Sequence, residues 1–188
     1  MTFTPLTPEH AAAVLKRGGV LAYPTEGVWG LGCDPFNESA VRRVLEIKRR
    51  PAAKGMIVIA ADAAQLSPWL RWDELALSRK EQIHASWPGP NTWLVPCTPD
   101  VPDWLRGEHD TLAARVTAHE PAAALCRAFG GPLVSTSANR ASEPPARCFA
   151  ELDLALLAEV DGVLAGETGG LDSPSTIRDG RSGVVLRG

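Results

Sequence analysis

The protein has 188 residues, of which 45% are hydrophobic and 22% charged, and its formal net charge is −3 at pH 7. These are ordinary globular values, and residues 1–188 are predicted to form one domain that is large enough to bury a core. The weak negative charge excludes a uniformly basic nucleic-acid coat protein, so binding of anions must depend on local clusters.

The cysteines and the N-terminal sequence point to a reduced cytoplasmic protein. Cys33, Cys97, Cys126 and Cys148 are far apart and form no CxxC pair, which argues against a zinc site and a disulfide framework. The first ten residues, MTFTPLTPEH, contain no basic region followed by an apolar run, so no signal peptide is expected. No apolar stretch is long enough to span a bilayer, and a cytoplasmic location is expected by elimination.

In chain order, helical and strand patterns interleave. A helix follows the Thr7 cap and runs to about Arg17, and a short strand over 20–23 comes next. A second helix begins near Asn37 and is predicted to end near Arg50, because Pro51 disfavours helix before it. Further strands are predicted at 56–59, 93–95, 112–116, 133–135, 162–164 and 184–186, and helices at about 73–85, 121–129 and 149–158. The continuously apolar strands predict a mixed α/β domain whose sheet is covered on both faces.

The segment 23–34 follows the first predicted strand and contains Gly27, Gly30 and Gly32. Their GxxGxG pattern is neither a dinucleotide fingerprint nor a Walker A loop. Glycine permits close approach of the backbone to a ligand. A tight turn that needs glycine for steric reasons explains the pattern about as well.

A second segment, 48–55, is basic. Six basic residues and one acid, Glu46, lie between Arg42 and Lys54. Arginine and lysine suit phosphate groups, although basic side chains also complement the C-terminus of a helix. The cluster continues beyond the predicted helix, which favours an anion site. The rigid loop 87–92 contributes Thr92 and decides nothing by itself.

Hydroxyl and amide side chains follow two further strands, at 115–119 and 135–139, and recur at 173–176. At the end of a strand they can present hydroxyls and N–H groups to anionic oxygens, or they can cap helices. His119 is compatible with a base, a ligand anchor or a structural histidine. The structural role is favoured because no partner acid is evident.

Taken together, these segments resemble the TsaC/YrdC-like threonylcarbamoyl-AMP synthase family in its short, single-domain bacterial form. The resemblance rests on YPTEGVWGLGCD, LEIKRRPAAKG, WPGPNTW, ARVTAHEP, PLVSTSAN, GETGG and PSTIRD in this order, closing on VVLRG. It implies an α/β fold with an open, twisted mixed β-sheet and flanking helices around a large, concave, positively charged cavity.

The resemblance also implies a nucleotidyltransferase reaction. The amine of L-threonine captures bicarbonate, and the resulting carboxylate attacks the α-phosphorus of ATP and expels pyrophosphate. The product, threonylcarbamoyl-AMP, is used by separate tRNA threonylcarbamoyl-transfer proteins. Mg²⁺ is the implied cofactor, held mainly by the ATP phosphates rather than by a protein metal site.

Site residues are implied by the same resemblance. Lys48 and Arg50 are expected to be catalytic by gripping the phosphates. The implied ATP site comprises Lys48, Arg50, Arg115, Ser137, Asn139 and Arg187. The implied threonine site comprises Thr25, Thr92, His119, Ser135 and Ser175, with Thr176 as an alternative to Ser175. No single general base is identified, and Lys54-Gly55 replaces an Asn-Pro pair found in other branches.

Three alternatives stay open at this stage. A basic cavity can bind RNA phosphate, so weak RNA binding is retained as a secondary property. A hydrogenase-maturation carbamoyltransferase is disfavoured by the short chain and the missing CxxC pairs. A purely structural member of the family is disfavoured because Lys48, Arg50 and Arg115 are present.

Overall fold

The computed structural model describes residues 4–141, 143–172 and 174–188, so Ser173 of the predicted 173–176 segment lies outside the described residues. The helices are α1 (Pro8–Lys16), α2 (Glu38–Lys48), α3 (Leu77–Ala85), α4 (Asp103–Arg106), α5 (Glu120–Phe129) and α6 (Leu154–Leu157). The strands are β1 (Leu21–Pro24), β2 (Trp29–Gly32), β3 (Ile57–Ala60), β4 (Asn91–Pro96), β5 (Thr111–Val116), β6 (Leu133–Val134), β7 (Thr136–Ser137), β8 (Gly162–Val163), β9 (Thr176–Asp179) and β10 (Val185–Arg187). Among the described helices, none has the length and apolar character that a membrane crossing requires.

The strands form two mixed sheets. The smaller has the order β7-β2-β1-β8, and the larger has the order β10-β9-β4-β5-β3-β6. Parallel pairs, such as β3 with β5, lie beside antiparallel ones, such as β4 with β5. The predicted mixed α/β architecture with flanking helices is confirmed, and the hydrogen bonding divides its strands between two sheets.

Side chains of β1 alternate between two cores. Leu21 and Tyr23 belong to the cluster that contains the inward faces of α1 and α5, whereas Ala22 belongs to the cluster that contains α2. All four β1 residues are buried. Helices therefore cover both faces, which explains why the strand is apolar without interruption.

The two sheets meet where the chain passes from β6 into β7 at Ser135. Val134 donates its N–H to the carbonyl of Cys33 at 3.0 Å and accepts a hydrogen bond from the Tyr23 hydroxyl at 2.8 Å. A Cβ on Gly32 would lie 2.1 Å from the carbonyl oxygen of Val134. The steric explanation therefore holds for Gly32, and Ser135 lies at the junction of the sheets.

Several predicted elements differ from the structure. The segment predicted as a helix over 73–85 begins its α-helix only at Leu77, after a separate 3₁₀ turn at Trp72–Glu74. The segment 149–158 is a 3₁₀ turn, Phe149–Glu151, followed by α6, which starts anew because the Asp153 side chain caps the Ala155 N–H. Strands β2, β7 and β9 and helix α4 were not predicted, since they are short or rich in glycine and hydroxyl residues.

Candidate active site

A cleft opens at the junction of the two sheets. It encloses about 800 Å³ of empty volume, including open solvent at its mouth. Seven of the eleven predicted site residues line it: Thr25, Arg50, Arg115, Ser135, Ser137, Ser175 and Arg187. The other four do not line it and make hydrogen bonds behind it. The lining residues that were not predicted from the sequence include Glu26, Ile57, Pro145 and Leu171.

The end of α2 separates the side chains of three consecutive basic residues. The helix was predicted to end near Arg50 but ends at Lys48, because Arg49 adopts the left-handed conformation with φ 52° and ψ 46°. Lys48 is buried, Arg49 is exposed and Arg50 is half-buried in the cleft wall. A non-glycine residue in this conformation is uncommon and costs about 1–3 kcal/mol. The turn directs Lys48 and Arg50 to neighbouring parts of one site.

Lys48 lies behind the cleft and binds the segment 137–139. Its Nζ donates to the backbone carbonyls of Ser137 and Asn139, the latter at 2.8 Å, and to Asn139 Oδ1 at 3.2 Å. Asn139 also donates its Nδ2 to the carbonyl of Glu143. Burial, and then the charge of Arg50, lower the pKa of Lys48 to about 8. The structure thus brings these three predicted residues together, with the ammonium occupied by protein oxygens.

Three arginines give the cleft its charge. Arg50 donates to the carbonyl of Gly55 at 2.9 Å, and burial lowers its pKa. Partial burial and the like charges of Arg50 and Arg115 lower the pKa of Arg187. Within the described part of the chain, the Nε atoms of Arg50 and Arg115 are buried without a hydrogen-bond partner. An anion in the cleft can satisfy such donors.

Glu26 is the one carboxylate among the described lining residues. It is 8% exposed and forms a buried ion pair with Arg115. Its Oε1 accepts hydrogen bonds from Thr117 Oγ1 at 2.8 Å and from the Ala118 N–H at 3.1 Å. Burial acts to raise its pKa, but Arg115 and the hydrogen bonds outweigh this and lower it. In the sequence, only the position of Glu26 next to the predicted site residue Thr25 pointed to a place in the site.

Ser175 lines the cleft together with Arg187. Its hydroxyl lies 3.0 Å from that of fully buried Thr92, and its carbonyl accepts a hydrogen bond from Arg187 at 3.1 Å. Thr92 therefore supports Ser175 from behind. Thr176, the alternative to Ser175, is the first residue of β9 and does not line the cleft.

The remaining predicted residues differ in how they reach the cleft. Thr25 lines it and donates its hydroxyl to the Val28 carbonyl at 2.7 Å. Ser135 lines it at the crossing between the sheets. His119 does not line it, and its Nε2 lies 2.9 Å from the Glu167 carbonyl. A carbonyl only accepts, so Nε2 carries a proton and supports the 166–170 segment. Contact of His119 with threonine stays a prediction.

The described residues contain no group of three or more His, Cys, Asp or Glu side chains arranged to hold a metal ion. In the same part of the chain, the polar side chains of the lining are three arginines, several hydroxyls and one carboxylate that Arg115 already pairs. This donor set fits an anionic ligand that brings its own cation.

The fold and the cleft define an α/β protein with a basic cleft at the junction of two mixed sheets. A comparison with known families agrees. The Sua5/YciO/YrdC family model, described as "Telomere recombination", matches residues 13–188. The chain belongs to this family.

Individual relatives support the assignment. The chain is 59% identical to a threonylcarbamoyl-AMP synthase of Xanthomonas euvesicatoria pv. vesicatoria (strain 85-10), over 95% of this chain and 96% of that protein. It resembles E. coli YciO with a TM-score of 0.82 and 26% identity, covering 96% of this chain and 87% of YciO. It resembles P. abyssi Sua5 complexed with L-threonine with a TM-score of 0.83 and 31% identity, covering 92% of this chain. The matched region covers 50% of that Sua5 chain, so this protein spans half of its length.

Proposed function

We propose that this protein is a nucleotidyltransferase that forms threonylcarbamoyl-AMP and pyrophosphate from L-threonine, bicarbonate and ATP. The observation that carries the proposal is the convergence of Arg50, Arg115 and Arg187 on one cleft with Ser135, Ser137 and Ser175. A relative that is 59% identical over nearly the whole chain bears the name of this activity.

The chemistry suits the cleft because adenylate formation chiefly requires positioning and neutralisation of charge. The threonine amine adds to bicarbonate with loss of water, and an oxygen of the new carbamate attacks the α-phosphorus. The bond from that phosphorus to the bridging oxygen breaks, and pyrophosphate leaves with the electron pair. In this proposal, Arg50 and Arg115 neutralise the charge that develops on the phosphates, and Arg187 closes the nucleotide side.

Lys48 and Asn139 position the loop that carries Ser137, and Thr25, Ser135 and Ser175 face threonine in the same proposal. Thr92 supports Ser175, and His119 supports the adjoining segment. Mg²⁺ enters with ATP, because the phosphates themselves supply oxygen ligands that this cation prefers. Cytoplasmic location, organisation as one domain and transfer of the product to separate tRNA-modifying proteins are parts of the proposal.

RNA binding is the weaker proposal. Several exposed arginines, including Arg42, Arg43 and Arg181, are paired with carboxylates, whereas the cleft holds three arginines for one acid. The charge distribution therefore favours a small polyanion inside the cleft over a long one on the surface.

The first experiment measures pyrophosphate release from ATP and Mg²⁺, with and without L-threonine and bicarbonate. Release that requires both co-substrates supports the synthase. Absence of release from folded protein under every condition contradicts it, and salt-dependent RNA binding would then be the function to test.

Arg50→Ala with Arg49→Ala as its matched control tests the site itself. Loss of a charge-assisted contact predicts a fall in pyrophosphate release of about tenfold or more for Arg50→Ala. The neighbouring Arg49 is exposed and outside the cleft lining, so its replacement is expected to stay within about twofold. Equal rates for the two variants would remove Arg50 from the mechanism.

A further inference from the structure

A buried carboxylate is unexpected in a site for polyanions. Glu26 lies beside two of the predicted substrate-binding positions: Thr25 precedes it in the chain, and Arg115 forms an ion pair with it. A negative charge there repels phosphate and carboxylate groups, and burial makes it costly without partners. Its presence therefore calls for a role other than binding the anion.

The hydrogen bonds of Glu26 suggest that it orients Arg115. One carboxylate oxygen accepts hydrogen bonds from Thr117 Oγ1 and the Ala118 N–H, and the other accepts a hydrogen bond from Arg115 Nη1. The carboxylate is thus fixed to the segment that follows β5, and it fixes one end of the guanidinium. Arg115 Nε is buried and unpaired within the described residues, and the residue itself lines the cleft.

Two other roles for this carboxylate fit less well. A general base must accept a proton, whereas Arg115 and the hydrogen bonds hold the pKa of Glu26 below its ordinary value. Binding of the threonine ammonium requires free oxygen lone pairs directed at the cleft, whereas three protein donors occupy three of the about four acceptor positions of the carboxylate.

The backbone of the same residue joins the 169–171 segment to the cleft. The Glu26 carbonyl accepts the Leu171 N–H at 3.0 Å, and the Thr25 carbonyl accepts the Gly169 N–H at 3.0 Å. A Cβ on Gly169 would lie 2.9 Å from the Glu26 carbonyl oxygen, so glycine allows this approach. Leu171 lines the cleft from this segment.

We infer that Glu26 is a positioning residue: its carboxylate holds the Arg115 guanidinium in the orientation that receives the nucleotide. The backbone hydrogen bonds from the 169–171 segment hold Glu26 itself in place. This inference rests on the proposed function for the identity of the nucleotide. It assigns Glu26 no direct part in forming or breaking bonds.

A double-mutant cycle tests the inference, with wild type, Glu26→Gln, Arg115→Gln and the double variant. Glu26→Gln preserves size and removes the charge, and about a tenfold loss of kcat/KM for Mg-ATP is expected, near the effect of one charge-assisted hydrogen bond. In the Arg115→Gln background the same exchange is expected to change kcat/KM by less than about twofold. Full activity of Glu26→Gln, or an undiminished loss in the second background, would overturn the inference.

One further measurement and one control variant separate positioning from a general loss of structure. The Nε–H signal of Arg115 in a ¹H–¹⁵N correlation spectrum is expected to broaden in Glu26→Gln. The signal is assigned by its absence in Arg115→Gln or Arg115→Lys. An unchanged signal contradicts the inference even if a double variant fails to fold. Glu38→Gln is the matched control, because Glu38 forms an exposed ion pair with Arg42 outside the cleft.

The inference remains testable if the proposed reaction fails. Should wild type release no threonine-dependent pyrophosphate, the affinity of the four proteins for Mg-ATP replaces kcat/KM in the cycle. Glu26→Gln is then expected to alter the affinity only while Arg115 is present. Equal shifts in both backgrounds would reject the role of Glu26 independently of the synthase reaction.

Discussion

The two walls of the cleft hold their cations in different ways. On the inner side, Arg115 lines the wall and Lys48 lies behind it; they are 5% and 4% exposed and already bound to protein oxygens. On the outer wall, Arg187 is exposed at the end of edge strand β10, and its hydrogen bond goes to the Ser175 carbonyl. The inner cations are therefore positioned before a ligand arrives, whereas the outer one has more freedom.

This difference has an energetic consequence. A buried cation is stable only with its partners, so inner-wall residues contribute to folding and to binding at the same time. An exposed arginine is solvated in either case and contributes mainly when the ligand is bound. Substitutions should therefore affect stability and activity together on the inner wall and activity alone on the outer wall.

The largest expected effect is that of Lys48→Met. The variant leaves the carbonyls of Ser137 and Asn139 without the ammonium that joins them. We expect a loss of about 2–4 kcal/mol in the free energy of unfolding, because buried acceptors become unsatisfied. We also expect kcat to fall by more than tenfold, roughly. Urea denaturation and pyrophosphate release measure the two losses. A variant of full stability and low activity would show that Lys48 belongs functionally with the outer wall.

The pH dependence of nucleotide affinity sharpens the same distinction. Lys48 has a pKa of about 8 in the folded protein, against 10.5 as its ordinary value. Above pH 8 the ammonium loses its proton, so affinity for Mg-ATP should fall by up to about tenfold per pH unit. The unfolded chain keeps the proton until near pH 10.5, so this group makes the free energy of unfolding rise over the interval from 8 to 10.5.

Affinity that falls while stability rises cannot be attributed to unfolding. Isothermal titration with Mg-ATP between about pH 7.5 and 9.5 measures the first quantity, and denaturation over the same range measures the second. Lys48→Arg keeps its charge across this range and is expected to abolish the decline. A decline that persists in Lys48→Arg would assign the titration to another group.

The place of several site residues could be predicted from the sequence, but only with the family resemblance. The local pattern of basic and hydroxyl residues left helix caps and C-terminal charges as alternatives, and the structure places Arg50, Ser135 and Ser137 in the cleft lining. Strand β2 was missed because Gly30 and Gly32 disfavour a strand locally, and the need for Gly32 is evident only in the structure, where Val134 and Tyr23 leave no room for a Cβ.

Other parts of the site depend on contacts between residues far apart in the chain. Glu26 and Arg115 are separated by 89 positions, and Lys48 and Asn139 by 91. No periodicity or motif encodes such pairings, so the ion pair within the cleft and the place of Lys48 behind it required the structure. The left-handed turn at Arg49 was likewise unforeseen, since arginine has no preference for it.

The smallest expected effect is that of Arg187→Ala on the outer wall. The free energy of unfolding should change by less than about 0.5 kcal/mol because the side chain is exposed, while kcat/KM for Mg-ATP falls about fivefold. This loss should shrink at about 1 M salt, where the screening length is about 3 Å, whereas that of Lys48→Met should persist because buried groups are screened less. Arg42→Ala, which removes an exposed arginine paired with Glu38 outside the cleft, is the control and should retain full activity. If Arg187→Ala destabilises the protein as Lys48→Met does, β10 is part of the cooperative fold and the contrast between the two walls is wrong.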